Sequence, residues 1–215
     1  MSCNAVVIAV DGPSASGKST ISRMVAERLG FLYVDSGAMY RAVTWKALQE
    51  GVDVTDSKQV VALLNRIRVE FEVHGGEVRM LVDGVYAGDA IRRPEVTEKV
   101  SIVAAIPEVR RALVAHQRSL TRFGNLVMEG RDIGSVVFPD TPHKFYVEVG
   151  VAERARRRQR DFAAMQVATT EEKVVEVTAE AMAQAPLTAQ VRSVGYVTMP
   201  HRNTDTPDEE CDGVG

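Results

Sequence analysis

Between the apolar run Ala5-Val-Val-Ile-Ala-Val10 and a stretch of helical periodicity lies Gly12-Pro-Ser-Ala-Ser-Gly-Lys-Ser19, and this segment restricts the fold most tightly. Its spacing fits G-x-x-x-x-G-K-[ST], a loop that follows a buried strand and opens a helix. Glycines at both ends allow a turn tight enough to aim several backbone N–H groups at one anion. Lys18 adds a point charge suited to β- and γ-phosphates, and the Ser19 hydroxyl suits Mg²⁺. The helix that follows contributes its N-terminal partial positive charge to the same anion. Ile21, Met24, Val25 and Leu29 recur at helical spacing, with Gly30 placed to end that helix. The loop residues Gly12, Pro13, Ser14, Ala15, Ser16, Gly17, Lys18, Ser19 and Thr20 are therefore expected to hold ATP.

Strand and helix patterns alternate through most of the chain. Phe31-Leu-Tyr-Val34 reads as a short strand, followed by helical spacing from about Ala38 to Gln49 and by a further helix capped by Asp56. The period then changes to two. Val69, Phe71 and Val73, then Val78, Met80 and Val82, alternate with polar neighbours around the turn His74-Gly-Gly76, and Asp83-Gly84 marks a second turn before Val85-Tyr-Ala87. Residues 68–92 are expected to form a small antiparallel insertion. Helices are expected from Pro94 and from Pro107, strands at Leu126–Met128 and Lys144–Val149, and an arginine-rich helix from about Ala152. Another helix is expected from Glu171 to about Ala183, and after Pro186 the periodicity fades. The pattern predicts an α/β fold: a doubly wound parallel sheet of the P-loop NTPase type, with the ligand at the carboxyl ends of its strands.

With 215 residues, 45% of them hydrophobic, a single domain over 1–215 carrying that insertion is expected. A lid over 152–190 and a disordered acidic tail over 205–215 complete the organisation. A formal charge of −3 argues against binding a nucleic-acid polymer. Cys3 and Cys211 sit at opposite ends without metal-ligand spacing, and no apolar stretch reaches membrane-spanning length. A cytoplasmic monomer without membrane contact is expected. No Asn-Lys-x-Asp guanine motif appears, and the loop is not the G-x-G-x-x-G of dinucleotide enzymes.

Three further clusters belong near the strand ends. Asp35-Ser-Gly-Ala-Met-Tyr-Arg41 sets the Ser36 hydroxyl, Tyr40 and an Arg41 fork on one helix start, a combination suited to a phosphate monoester. Gly130-Arg-Asp-Ile-Gly134 offers Arg131 and Asp132 on one short loop. In Glu153-Arg-Ala-Arg-Arg-Arg-Gln-Arg160, Arg154, Arg157 and Arg158 share a face at i, i+3, i+4 spacing and are expected to meet phosphates. Asp11 or Asp35 is placed either to hold a magnesium-bound water beside Ser19 or to order the loop.

These motifs, with Gly130-Arg-Asp-Ile-Gly-Ser-Val-Val-Phe-Pro-Asp140, closely resemble the bacterial cytidylate kinases over about residues 4–162. The resemblance implies transfer of the ATP γ-phosphoryl group to CMP or dCMP, with the 68–92 insertion helping to bind the monophosphate. It implies that Ser36 and Arg41 hold the CMP phosphate, while Ser101, Arg110 and Asp132 read cytosine with Arg131 close by. Arg92 becomes a phosphate or insertion contact. The catalytic set is then Lys18, Arg131, Asp132, Arg154 and Arg158.

Past Phe162 the sequence departs from the family's pattern. Its usual lid motif of Arg-Asp-x-x-Asp-Ser-x-Arg type is not found, and the last strand is expected to be missing, which would expose a sheet edge. A shifted reading frame or a lid built from other residues accounts for such a departure. The alternative function is a nucleotide-binding relative with little catalysis.

Overall fold

The computed structural model describes residues 5–164 and 195–198. In chain order it runs β1 (Val7–Asp11), α1 (Lys18–Leu29), β2 (Leu32–Asp35), α2 (Ser36–Gln49), α3 (Ser57–Arg66), β3 (Val69–His74) and β4 (Glu77–Val82). There follow α4 (Pro94–Ala105), α5 (Pro107–Ser119), β5 (Leu126–Gly130), β6 (His143–Glu148), α6 (Val151–Ala164) and β7 (Gly195–Thr198).

The local reasons are legible in the residues. Asp56 caps α3 by accepting from the backbone N–H of Lys58 and Gln59. Asp35 caps α2 from the Ala38 N–H at 2.9 Å. Pro94 and Pro107 open α4 and α5, where no N–H is required. Gly30 closes α1 in the left-handed conformation.

The strands order as β3-β4-β2-β5-β1-β6-β7. All neighbours pair parallel except β3 with β4. Leu126, Val127 and Met128 are fully buried, as a central parallel strand covered on both faces requires. One layer packs Met39, Val43, Leu63, Val103 and Leu113 between α2, α3, α4 and α5. The opposite face packs α1 on β1, β2, β5 and β6 through Ala26, Val10, Tyr33, Val127 and Val147.

The pairing register positions the site. Asp11 stands beside Gly130, and Asp35 beside Glu129, so β1, β2 and β5 end together on one edge. The phosphate loop, the start of α2 and the loop after Gly130 all leave from that edge.

Four expectations change. The hairpin β3–β4 is antiparallel as expected but continues the main sheet, because Tyr33 pairs with Glu77 and its N–H bonds to the Gly76 carbonyl at 2.9 Å. Val85 makes only an isolated bridge to Val82, so no third strand forms there. In α1 the buried positions are Ser22 and Ala26, while Met24 and Leu29 are about half exposed. Small residues let the helix approach the sheet closely, with Ile21 and Val25 packed beside them as expected and Met24 and Leu29 facing outward. The missing last strand is also corrected: Gly195–Thr198 pairs parallel with β6 from Phe145 to Glu148. The expected helix at 171–183, most of the lid and the 205–215 tail lie outside the described residues. No helix among the described residues is long and apolar enough to cross a membrane.

Candidate active site

The phosphate loop is built as its sequence demands. Ala15 and Gly17 both adopt positive φ, 59° and 88°, which turns successive N–H groups toward one concavity at the start of α1. An alanine there is an uncommon conformation, consistent with a loop held for ligand rather than for its own comfort. Lys18 Nζ donates to the Pro13 carbonyl at 3.0 Å, curling over the loop, and stands 3.9 Å from Glu129 Oε2. Burial pushes the Lys18 ammonium below its ordinary range, while Glu129 opposes that shift.

Glu129 organises the centre. It is almost fully buried at the end of β5. Its Oε2 accepts from Ser19 Oγ at 2.9 Å, and its Oε1 accepts from the Tyr33 hydroxyl. Burial raises its affinity for a proton, Asp35 adds to that, and Lys18, Tyr33 and Ser19 counter both. The Tyr33 phenol is itself pushed up by burial foremost, so it remains a donor.

Asp11 and Asp35, the two carboxylates considered for a metal-bound water, are otherwise engaged. Asp11 accepts from the N–H groups of Ile133 and Gly134 at 2.7 and 2.8 Å, ordering the loop after β5. Asp35 pairs with Arg41 at 2.7 Å and Arg92 at 3.5 Å while capping α2. In the structure the Ser19 hydroxyl bonds Glu129, while Asp35, the expected metal partner of Ser19, pairs with Arg41 and Arg92. Burial alone would raise the Asp35 pKa, but Arg41, Arg92, the Ala38 N–H and Lys18 together bring it below 3.8. A folded value below the unfolded one gives stability that is full above the ordinary carboxylate range and is lost as pH falls through the folded value. Asp35→Asn is accordingly expected to cost about 2 kcal/mol near neutral pH, the scale of charged hydrogen bonds lost at a part-buried site. Thermal melts from about pH 6 to about pH 3 should show the gap to wild type closing. A gap that stays constant with pH would refute the ion pairing.

Ser36 is buried at the start of α2, packed so closely against β5 that a Cβ on Gly130 would stand 2.5 Å from its hydroxyl. Arg41 follows one turn later. Arg131 is exposed on the loop, within electrostatic reach of Lys18, Arg41 and Arg154. Arg154 is buried in the first turn of α6, its Nε donating to the Val149 carbonyl at 3.0 Å. Lys18, Arg41 and Arg131 therefore share one cationic neighbourhood, which Arg154 joins through Arg131. Arg157 pairs with Glu153 at 2.9 Å along the helix, which separates it from the buried Arg154. The Arg158 side chain lies outside the described residues.

Deeper on α5, Arg110 pairs with Asp132. Asp132 is buried, and Tyr40 lies within electrostatic reach of both while bonding Gln117. Ser101 is half-buried on α4, which packs on α2. A cavity of about 270 Å³ opens on the hairpin side of Asp35, lined by Met39, Met80, Tyr86 and Arg92 among others.

The cytidylate kinase family model matches residues 8–183. The chain belongs to the cytidylate kinase family. The cytidylate kinase of Limosilactobacillus reuteri (strain DSM 20016) is 41% identical over 168 residues, covering 78% of this chain and 74% of that protein. That of Symbiobacterium thermophilum is 48% identical over 154 residues, 71% of this chain and 68% of that protein. A bifunctional pantoate ligase/cytidylate kinase of Synechococcus sp. (strain RCC307) is 50% identical over 159 residues, 74% of this chain. The chain spans only 31% of the length of that bifunctional relative.

For a cytidylate kinase family member, the residues present suit magnesium and a triphosphate. Ser19 and Glu129 are hard oxygen donors set side by side. Among the described residues the buried Ser16 hydroxyl and Arg41 Nε meet no hydrogen-bond partner, as groups aimed at an anion would. No group of three or more His, Cys, Asp or Glu forms a metal cage among those residues. Sequence reading missed Glu129 and Tyr33. The signal available for Glu129 was a carboxylate at the end of an apolar strand, Leu126-Val-Met-Glu129. Its partner Ser19 lies 110 residues earlier and meets it only through the strand order.

Proposed function

We propose that this chain transfers the γ-phosphoryl group of ATP to CMP and dCMP, releasing ADP with CDP or dCDP. The observation that carries the reading is the adjacency of two anion sites, the loop at Lys18 and the arginine set at Arg41 and Arg131, on one sheet edge. An acceptor phosphate oxygen attacks the γ-phosphorus as the bond to the β–γ bridging oxygen breaks. The acceptor is already ionised, so no strong base is needed, and the chain's work is positioning and charge neutralisation. Lys18 and the loop N–H groups grip the β- and γ-phosphates. Ser36, Arg41 and Arg131 fix the acceptor phosphate, and Arg92 steadies Asp35 behind them. Magnesium, held by Ser19 and Glu129, supplies further neutralisation of charge on the triphosphate oxygens when bound. Arg154 adds positive charge from the lid side.

Asp132 and Arg110 are complementary to cytosine: the carboxylate accepts from the exocyclic amine, and the guanidinium donates to the ring nitrogen and carbonyl. Tyr40 and Ser101 complete the pocket wall. A base without those groups leaves Asp132 or Arg110 unpaired, which is the source of discrimination. Asp132→Asn is therefore expected to lower kcat/KM for CMP about a hundredfold, the loss of charge-assisted pairing. The KM for ATP should stay within about twofold, because Asp132 pairs with Arg110 on α5 and with no residue of the phosphate loop. Steady-state kinetics decide it, and equal losses toward CMP and UMP would remove Asp132 from base reading.

Coupled ADP release with CMP, dCMP, UMP and AMP tests the whole reading. CMP and dCMP should be the fastest acceptors, and comparable kcat/KM for AMP or UMP would overturn it. The alternative of a weakly catalytic binder draws no support from a phosphate loop, Lys18 and Glu129 that are all in place. We propose likewise that the chain acts on free nucleotides as a cytoplasmic monomer.

A further inference from the structure

The two oxygens of Glu129 are divided between two hydroxyls on opposite sides. Ser19, from the phosphate loop, holds Oε2, and Tyr33, from the neighbouring strand β2, holds Oε1. Tyr33 is 3% exposed, wedged in the layer of Val10, Ala26, Val127 and Val147. Its ring is fixed from the outer side as well. The Arg23 guanidinium lies 4.1 Å from the ring centroid, and both Arg23 terminal nitrogens reach the Glu77 carboxylate at 3.3 Å. Tyr33 is also the strand residue that joins β2 to the hairpin, through Glu77 and the Gly76 carbonyl.

We infer that Tyr33 is a positioning residue for magnesium–ATP: its hydroxyl pins one oxygen of Glu129 so that the other is aimed at the Ser19 hydroxyl and the metal beside it. A carboxylate on a strand end can rotate about its terminal torsion, and that torsion is broad. With Oε1 tied to a buried phenol, one orientation is selected before ligand arrives. A phenylalanine would fill the same volume and keep the Arg23 stack, yet it would leave Glu129 free to turn toward Lys18. The effect is therefore specific to the metal-bearing nucleotide. The inference rests on the reading of Ser19 and Glu129 as the magnesium holders.

The test is calorimetric binding of ATP with and without Mg²⁺ to wild type and Tyr33→Phe. The variant should bind ATP–Mg²⁺ about tenfold more weakly, the scale of one hydrogen bond to a charged group, and ATP without metal within about twofold. Equal weakening in both conditions would show a merely structural role and overturn the inference, as would no change in either. In turnover, kcat should fall at fixed Mg²⁺ and recover as Mg²⁺ is raised, while the KM for CMP holds. On a Glu129→Gln background the Tyr33→Phe change should add almost nothing to the loss of magnesium dependence, and full additivity would sink the proposal. Should Tyr33→Phe fail to fold, 3-fluorotyrosine at position 33 of the otherwise unaltered chain replaces it. Its fluorine resonance should move when Mg²⁺ joins bound ATP, and an unmoved signal would count against the inference. A wild-type chain that shows the magnesium-specific affinities but phosphorylates no monophosphate would overturn the proposed function and leave the role of Tyr33 standing.

Discussion

Lys18→Ala is expected to lower kcat for CMP phosphorylation at least a hundredfold, with the fold retained. The magnitude follows from what the side chain does. Its ammonium curls over the loop onto the Pro13 carbonyl and faces Glu129, so it is preplaced where charge spreads over the transferred oxygens. Removing one preorganised donor of this kind costs on the order of 3 kcal/mol of transition-state stabilisation. The loss is not of ground-state binding alone, since the loop N–H groups still hold the nucleotide. A second contribution comes through Glu129. It is buried, and Lys18 is one of the groups that keep it ionised. Without the ammonium the carboxylate is more readily protonated, which weakens its charged hydrogen bond with the Ser19 hydroxyl. The fold survives because Lys18 belongs to none of the buried apolar clusters. Steady-state turnover, set beside circular dichroism and a thermal melt, checks both halves. Near-normal turnover in a folded variant would take the phosphate loop out of the mechanism.

The parts of this fold legible in the sequence are those written in short segments. The strand before Gly12, the Asp56 and Pro107 starts, and the alternation through Val69–Val82 each depend on residues within one turn or one hairpin. All three form where the pattern places them. The candidate site was legible where a motif carries its own geometry. Lys18, Ser19, Ser36, Arg41 and Asp132 leave from one edge because their loops follow strands that end in register.

What the pattern could not supply depends on which strands lie side by side. Glu129 and Ser19 meet because β5 is inserted between β1 and β2, a fact of topology rather than spacing. Asp35 looked as suited to magnesium as any carboxylate near the loop. Its engagement by Arg41 and Arg92 required knowing that the Gly88–Arg92 turn folds back over α2. Met24 and Leu29 misled for a different reason: helical periodicity marks an apolar stripe, but close approach to a sheet favours Ser22 and Ala26 at the contact. The strand Gly195–Thr198 was overlooked because four residues with one β-branched pair of neighbours give little periodicity to read. Its partner β6 supplies the template.

Gly12→Ala should be a severely damaging single-methyl change in the phosphate loop. A Cβ there would stand 2.4 Å from the Val147 carbonyl oxygen and 3.3 Å from its carbonyl carbon. These are backbone atoms of β6, which is held between β1 and β7 by its ladder, so neither side can yield cheaply. The Gly12 N–H is also tied to the Gly130 carbonyl at 3.2 Å, which stops the loop from backing away. Overpacking of this kind typically costs 1–3 kcal/mol, and a clash with paired backbone belongs at about the upper end. For a chain of this length that is roughly a 6–12 °C fall in Tm. Relief comes most easily by displacing the loop outward, away from Lys18, so ATP–Mg²⁺ affinity and kcat should fall together by at least about tenfold. Gly30→Ala provides the control, because Gly30 also has positive φ, 66°, but its Cβ would meet nothing within 4 Å. There only the left-handed backbone is strained, at about 1 kcal/mol, and activity should be unchanged. Calorimetric melts and turnover of the two variants separate steric exclusion by β6 from backbone conformation. Equal Tm losses would mean that the close approach of Val147 to the loop contributes nothing.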